Sequence, residues 1–120
     1  MRFDGKRYWL VGASEGLGRA LAIKLSAAGA ELVLSARAEG RLHSLADDLP
    51  GKAQVLQLDL ADEASVVQAG AALGRVDGVV FLAGVYWPMS AQEWDGPSVL
   101  AMADINFIGA FRVLNQVMPQ

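Results

Sequence analysis

A chain of 120 residues accommodates one domain with a buried core and no more. It is 53% hydrophobic and 19% charged, and its ten basic and thirteen acidic residues give a formal net charge of −3, without a basic cluster to favour nucleic acid as a partner. Cysteine is absent, which excludes disulfides and thiolate metal sites, and the single His43 lacks carboxylate company at ligand spacing, so no metal site is expected.

The run Tyr8-Trp9-Leu10-Val11 predicts a first strand over residues 7–11. The turn Gly12-Ala13-Ser14-Glu15-Gly16-Leu17-Gly18 follows, and then a helix over 17–28, with Leu17, Leu21, Leu25 and Ala28 on its inner face and Gly29 as its stop. A second strand spans 31–35. Leu42, Leu45, Ala46 and Leu49 mark the inner face of a helix over 39–49, ended by Pro50-Gly51. A third strand spans 53–58. Asp62 caps a third helix, with Glu63 favourably placed in its first turn and Val66, Ala69, Gly70 and Leu73 turned inward. A fourth strand over 79–82 is short and wholly apolar. A loop over 86–97 leads into a long helix over 98–118. That helix is apolar almost all round, with Asp104 and Arg112 as its clear charges, and is expected to be buried on several faces.

Strands alternating with helices pair in parallel through right-handed crossovers. The expected fold is α/β, a doubly wound (Rossmann-like) parallel sheet of four strands in the order 3-2-1-4 with flanking helices. The order reverses between strands one and four, and ligands bind in the crevice that opens there at the strands' carboxyl ends. Strand four is left as an open apolar edge. The expectation is an N-terminal piece of a longer protein, truncated before a fifth strand, or an edge covered by a partner. The N-terminus has no signal-peptide core, and no apolar run approaches the length of a membrane span, so a cytoplasmic location and no membrane are expected.

The glycine turn carries the chemistry. Strand, glycine turn and helix build a phosphate cradle: one glycine for the tight turn, one for close approach of a diphosphate, one for helix–strand packing. The helix points its free N–H groups and partial positive charge at the anion. The spacing is G-x-x-x-G-x-G rather than G-x-G-x-x-G, and taken alone it also reads as a helix entry without a ligand.

Over essentially its whole length the chain resembles the short-chain dehydrogenase/reductase family. The resemblance rests on Asp4-Gly5-Lys6, the turn Gly12 to Gly18, Ser35-Ala36-Arg37, Asp59-Leu60, Ala83-Gly84, and Asn106 with Gly109, in that order and at those intervals. It implies that residues 1–120 are the N-terminal dinucleotide-binding part of a single domain. Gly12, Ser14, Glu15, Gly16, Leu17 and Gly18 then belong to the cofactor cradle. Arg37 meets a ribose 2′-phosphate, aided by Ser14, and no carboxylate stands at Ala36, which favours NADP(H) over NAD(H). Glu15 cuts the other way, since NADP-preferring members often carry a basic residue there. Arg37 also reads as a solvated arginine at a helix entry. Asp59 accepts from the adenine amino group, or is simply a turn or capping aspartate. Leu60 adds a backbone contact and packing, and Ala83 and Gly84 let backbone approach the nicotinamide-side ribose. Asn106 is the family's active-site asparagine, shaping its helix and holding a water in a proton relay; its other reading is a kink residue bonded to backbone.

Val11 and Leu82 depart from the family pattern, standing where threonine and asparagine are usual. The family's chemistry also needs a tyrosine with a lysine four residues on. Here the tyrosines are Tyr8 and Tyr86, followed at that spacing by Gly12 and Ser90. The reading is an NADP(H)-dependent oxidoreductase moving hydride between nicotinamide and a small-molecule carbonyl or alcohol. This chain holds the cofactor-binding half and is inactive alone. It is expected to assemble as a homo-oligomer through the helix 98–118. The alternative is a non-catalytic nucleotide-binding or assembly module. A nucleoside-cofactor methyltransferase is disfavoured by Ala36-Arg37, where an acidic residue is usual.

Overall fold

The computed structural model describes residues 3–120, in which four parallel strands lie in the order β3-β2-β1-β4. These are β1 (Arg7–Val11), β2 (Glu31–Ser35), β3 (Ala53–Val55) and β4 (Gly78–Phe81). Helices α1 (Gly16–Ala27), α2 (Glu39–Asp48) and α3 (Glu63–Leu73) connect them. After β4 come a short 3₁₀ turn (Ala91–Glu93), α4 (Gly96–Ala103), a π-helical turn (Asp104–Ile108) and α5 (Gly109–Val117). The expected doubly wound sheet and its strand order are both found.

Alternation along β1 and β2 divides the core into two layers. Trp9, Val11 and Val33 face one way and pack with Leu58, Val66, Ala69, Leu73 and Val113. Leu10, Leu32 and Leu34 face the other way and pack with Ala22, Leu42, Leu45 and Leu49. Central strands covered on both faces read as continuous apolar runs, which is why residues 8–11 and 32–34 look as they do. Trp9 is fully buried, and its indole N–H is satisfied by the Ser35 hydroxyl at 2.8 Å. Asp62 caps α3 as expected, accepting from the Ala64 N–H at 3.1 Å.

Five expectations are corrected. First, α1 buries Gly18, Ala22 and Ser26 rather than the Leu17 face, and Leu17 is 71% exposed. A side chain at Gly18 would collide with the Gly12 carbonyl, so the start of the helix lies too close to the turn for a leucine there, while Leu25 further along still packs partly against the core. Second, β3 ends at Val55 rather than at residue 58. Leu56 and Leu58 still donate to the carbonyls of Leu34 and Ala36, while the Leu56 carbonyl turns to accept from the Ser35 hydroxyl.

Third, the last helical run spans Gly96–Val117 and is interrupted by the π turn, and by length and composition it is long and apolar enough to cross a membrane. Fourth, that run is buried only at Gly109 and Val113. Its inner side meets α3, where Gly70 leaves room for the Gln116 side chain. β4 also begins one residue earlier than expected, with Gly78 opposite Tyr8, and the Leu82 N–H donates to the Val11 carbonyl just past its end.

Candidate functional site

Two connections meet at the carboxyl end of the sheet. Gly12 takes φ +102°, which turns the chain sharply out of β1, and a Cβ there would strike the backbone of Leu82 and Ala83. The turns after β1 and β4 are therefore in direct backbone contact. Gly18 is glycine for the packing reason given above. Gly16 is different. It takes φ +61°, and a Cβ there would meet nothing within 4 Å, so its backbone borders free space.

The N–H groups of Gly12 and Ala13 donate to the Ser35 carbonyl at 2.8 and 3.3 Å, so the Ala13 amide is not available to a ligand. The donors begin further on. Arg19 makes the first bond of α1, to the Glu15 carbonyl, and among the described residues no side chain caps the helix. The N–H groups of Gly16, Leu17 and Gly18 thus lack intrahelical acceptors. Together with the helix dipole they form an anion-binding terminus.

Beside this terminus lies a cleft of about 230 Å³. It gathers Gly12, Ser14 and Glu15 from the first turn, Arg37 from the end of β2, Asp59 and Leu60 from beyond β3, and Ala83 and Gly84 from beyond β4. Eight of the residues singled out in the sequence are thus brought together. Gly16, Leu17 and Gly18 adjoin the cleft on α1. The departures Val11 and Leu82 line it as well, tied to each other by backbone rather than by a hydroxyl and an amide.

Polar groups around the cleft are arranged by neighbours that sequence reasoning did not single out. Glu15 is paired with Arg41 of α2, Oε2 to Nη1 at 2.5 Å. Arg37 is exposed, and among the described residues its guanidinium has no acidic partner. The Asp59 carboxylate accepts from the Ala61 N–H at 3.0 Å through Oδ1, a turn role. Its backbone is pinned by Ser65, whose Oγ accepts from Asp59 N and donates to Asp59 O, both at 2.9 Å.

Asn106 sits in the π turn. Its Oδ1 accepts from the Val85 N–H and its Nδ2 donates to the Val85 carbonyl, both at 2.7 Å. The amide thus pairs with both backbone groups of one residue as a neighbouring strand would, which is the backbone-bonding arrangement. A Cβ on Gly84 would stand 2.9 Å from Asn106 Oδ1, so glycine there makes room for the clamp.

The same π turn grips the opposite wall. Arg112 donates to both oxygens of Asp104, at 2.9 and 3.2 Å, and to the Leu60 carbonyl at 2.8 Å. The hydrogen bond from Arg112 holds the Asp104 carboxyl below its ordinary range, against partial desolvation and with the guanidinium charge assisting. The same bond raises Arg112. One turn of irregular helix thereby fastens Leu60 on one side and Val85 on the other. A π turn inside a helix often marks a functional site.

The two tyrosines stand apart from this arrangement as a catalytic pair would require it. Tyr8 packs edge-on against Phe3 and beneath Gly78. Tyr86 is 80% exposed, and neither has a lysine four residues on.

Comparison with known proteins supplies a frame for this geometry. A family model described as short chain dehydrogenase matches residues 6–120. The chain is 32% identical over 127 residues to the 3-oxoacyl-[acyl-carrier-protein] reductase FabG of Escherichia coli K12, covering 98% of this chain and 50% of that protein. It is 36% identical over 118 residues to a sulfoacetaldehyde reductase of Chromohalobacter salexigens, covering 92% of this chain and 47% of the relative. Among solved structures, a metagenomic short-chain oxidoreductase in complex with NADP superposes with a TM-score of 0.90 at 28% identity, covering 99% of this chain and 57% of that one. The chain spans about half the length of the curated relatives it matches.

Proposed function

The chain belongs to the short-chain dehydrogenase family, and from that premise we propose that residues 1–120 are the N-terminal cofactor-binding part of a single NADP(H)-dependent oxidoreductase domain. The observation that carries this reading is the cleft at the switch between β1 and β4, with an uncapped helix terminus beside it. The open space at Gly16 fits a diphosphate, and the Arg37 guanidinium, without an acidic partner among the described residues, fits a 2′-phosphate. When bound, the nicotinamide would give a hydride to a small-molecule carbonyl or take one from an alcohol. The chain's own residues do the holding. The Gly16, Leu17 and Gly18 amides bind the diphosphate, Ser14 and Arg37 the 2′-phosphate, and Asp59 and Leu60 border the adenine. Ala83 and Gly84 leave room for the second ribose, and Asn106 fixes that wall through Val85.

A solved relative bound to NADP supports the cofactor class, and reductase relatives support the reaction class. The tyrosine–lysine pair is not among these 120 residues, so the chain alone is inactive. The exposed side of α4 and α5 favours a homo-oligomer, the assembly side of the alternative reading as well. The net charge of −3 without a basic cluster supports a chain without a nucleic-acid partner, and we assign it to the cytoplasm with no membrane partner.

Titration calorimetry tests the reading. NADP⁺ is expected to bind at least about tenfold more tightly than NAD⁺ through charge-assisted bonds to Arg37, and Arg37→Gln to reduce the difference. NADPH mixed with the chain and a panel of ketones is expected to show no absorbance decay. Binding of neither nucleotide overturns the proposal, and turnover overturns the assignment of an inactive half.

A further inference from the structure

Glu15 stands at the N-cap of α1 and lines the same cleft as Arg37, so it brings a negative charge to the cleft that the proposed cofactor and its extra phosphate would enter. On charge alone it opposes NADP(H). Its side chain, however, bonds none of the N–H groups of its own helix end. It reaches instead to Arg41, in the first turn of α2. That contact uses one terminal nitrogen of the guanidinium, Nη1. Nη2 and Nε have no acceptor among the described residues, so donors remain for a second anion. Arg37 lines the cleft from the connection between β2 and α2, four residues before Arg41, and Arg41 meets the cleft through its contact with Glu15. A Cβ on the intervening Gly40 would meet nothing within 4 Å, so no bulk stands beside this helix start.

We infer that Glu15 is the anchor of a second phosphate-binding cation: it holds Arg41 at the rim of the cleft, and Arg41 bridges Glu15 to the 2′-phosphate alongside Arg37. This rests on the proposed NADP(H) reading and reverses the meaning of Glu15 within it. The carboxylate selects for the phosphate by positioning a guanidinium, and Arg41 in turn cancels the repulsion that a bare carboxylate would exert.

The inference has a signature in the sign of one substitution. NADP⁺ and NAD⁺ affinities are measured by calorimetry for the chain and for Arg41→Gln, Glu15→Gln, the double variant and Arg37→Gln. Arg41→Gln is expected to weaken NADP⁺ about tenfold and leave NAD⁺ unchanged. Glu15→Gln is expected to weaken NADP⁺ about threefold while Arg41 is present, since the anchoring ion pair is exposed and modest. In the Arg41→Gln background the same change is expected to strengthen NADP⁺, because only repulsion is then removed. Both side chains are exposed, so all variants are expected to keep the urea midpoint of the parent.

Glu15→Gln strengthening NADP⁺ while Arg41 is present overturns the inference, as does an Arg41→Gln variant within twofold of the parent. Either result leaves the cofactor proposal standing if Arg37→Gln still reduces the preference. Binding of neither nucleotide by the parent removes the cofactor proposal itself, and this inference with it.

Discussion

The two sides of the sheet are finished to different degrees. Around β1 and β2, Leu10, Leu32, Leu34, Leu42 and Leu45 are all buried to within 1%. Around β4 and the last helices, every β4 residue is only partly buried, and Leu100, Phe107, Phe111 and Met118 are half or more exposed. The same composition rule cannot account for both, because apolar residues are as frequent on the second side as on the first. The difference lies in neighbours. β1 and β2 each have a strand on both sides and a helix on both faces, whereas β4 is an edge. The first side is a completed core, and the second is an exposed apolar face of the kind that marks an interaction surface.

The sharpest way to break this comparison is to truncate one leucine on each side. Leu34→Ala removes a side chain sealed between β1, β3 and the helices above, and is expected to cost about 2–5 kcal/mol by the transfer and cavity terms together. Leu100→Ala, at a site 72% exposed, is expected to stay within about 0.5 kcal/mol of the parent. Urea unfolding of the two variants measures both. Comparable losses would mean that α4 is packed in solution against something the monomer does not contain.

How far the sequence reached follows the same divide. β1, β2 and their partner helices were legible to within a residue or two, because a strand buried on both faces is an unbroken apolar run with few rivals. The inner face of α1 was misread. Leu17, Leu21 and Leu25 outweigh Gly18, Ala22 and Ser26 in any hydrophobicity pattern, yet close contact with the Gly12 turn rewards the smallest residues. The cleft residues were legible because each glycine or charge fell at the end of a strand. Arg41, Ser65 and the Val85 backbone were not, because each acts through a partner 6 to 26 residues away in sequence. The Asp104–Arg112 pair was visible as two charges on an apolar helix. Its spacing of eight residues fits a π turn, and nothing in the residue types announces one.

That pair offers a smaller, pH-dependent effect on the unfinished side. A carboxyl whose folded pKa is depressed contributes stability above its unfolded value and loses it as pH falls through the folded one. Asp104 is held below the ordinary 3.8, so its contribution is complete at neutral pH and fades under acid below that value. Asp104→Asn is therefore expected to melt below the parent at pH 7 and together with it once Asp104 of the parent is protonated in the folded and unfolded chain alike. Thermal unfolding followed from pH 7 downward checks the convergence. A constant gap across the range would mean that the amide disrupts packing and that the charge contributes nothing.

The smallest effect on stability, and the most direct test of the apolar face, belongs to Phe111. Its ring meets Phe107 edge-on at 5.1 Å, and both rings are at least half exposed. Replacing Phe111 by serine removes little that the monomer buries, so the unfolding free energy is expected to change by no more than about 0.5 kcal/mol. If a second copy covers this face, the same change strips an aromatic anchor from the interface, where a truncation typically costs 1 kcal/mol or more (about fivefold or more in the association constant). Sedimentation over a concentration series separates the two quantities. A chain whose association shifts while its urea midpoint stays fixed carries an assembly surface on α4 and α5. A chain whose association is unmoved by Phe111→Ser must join its neighbours elsewhere, and the open edge of β4 becomes the next place to look.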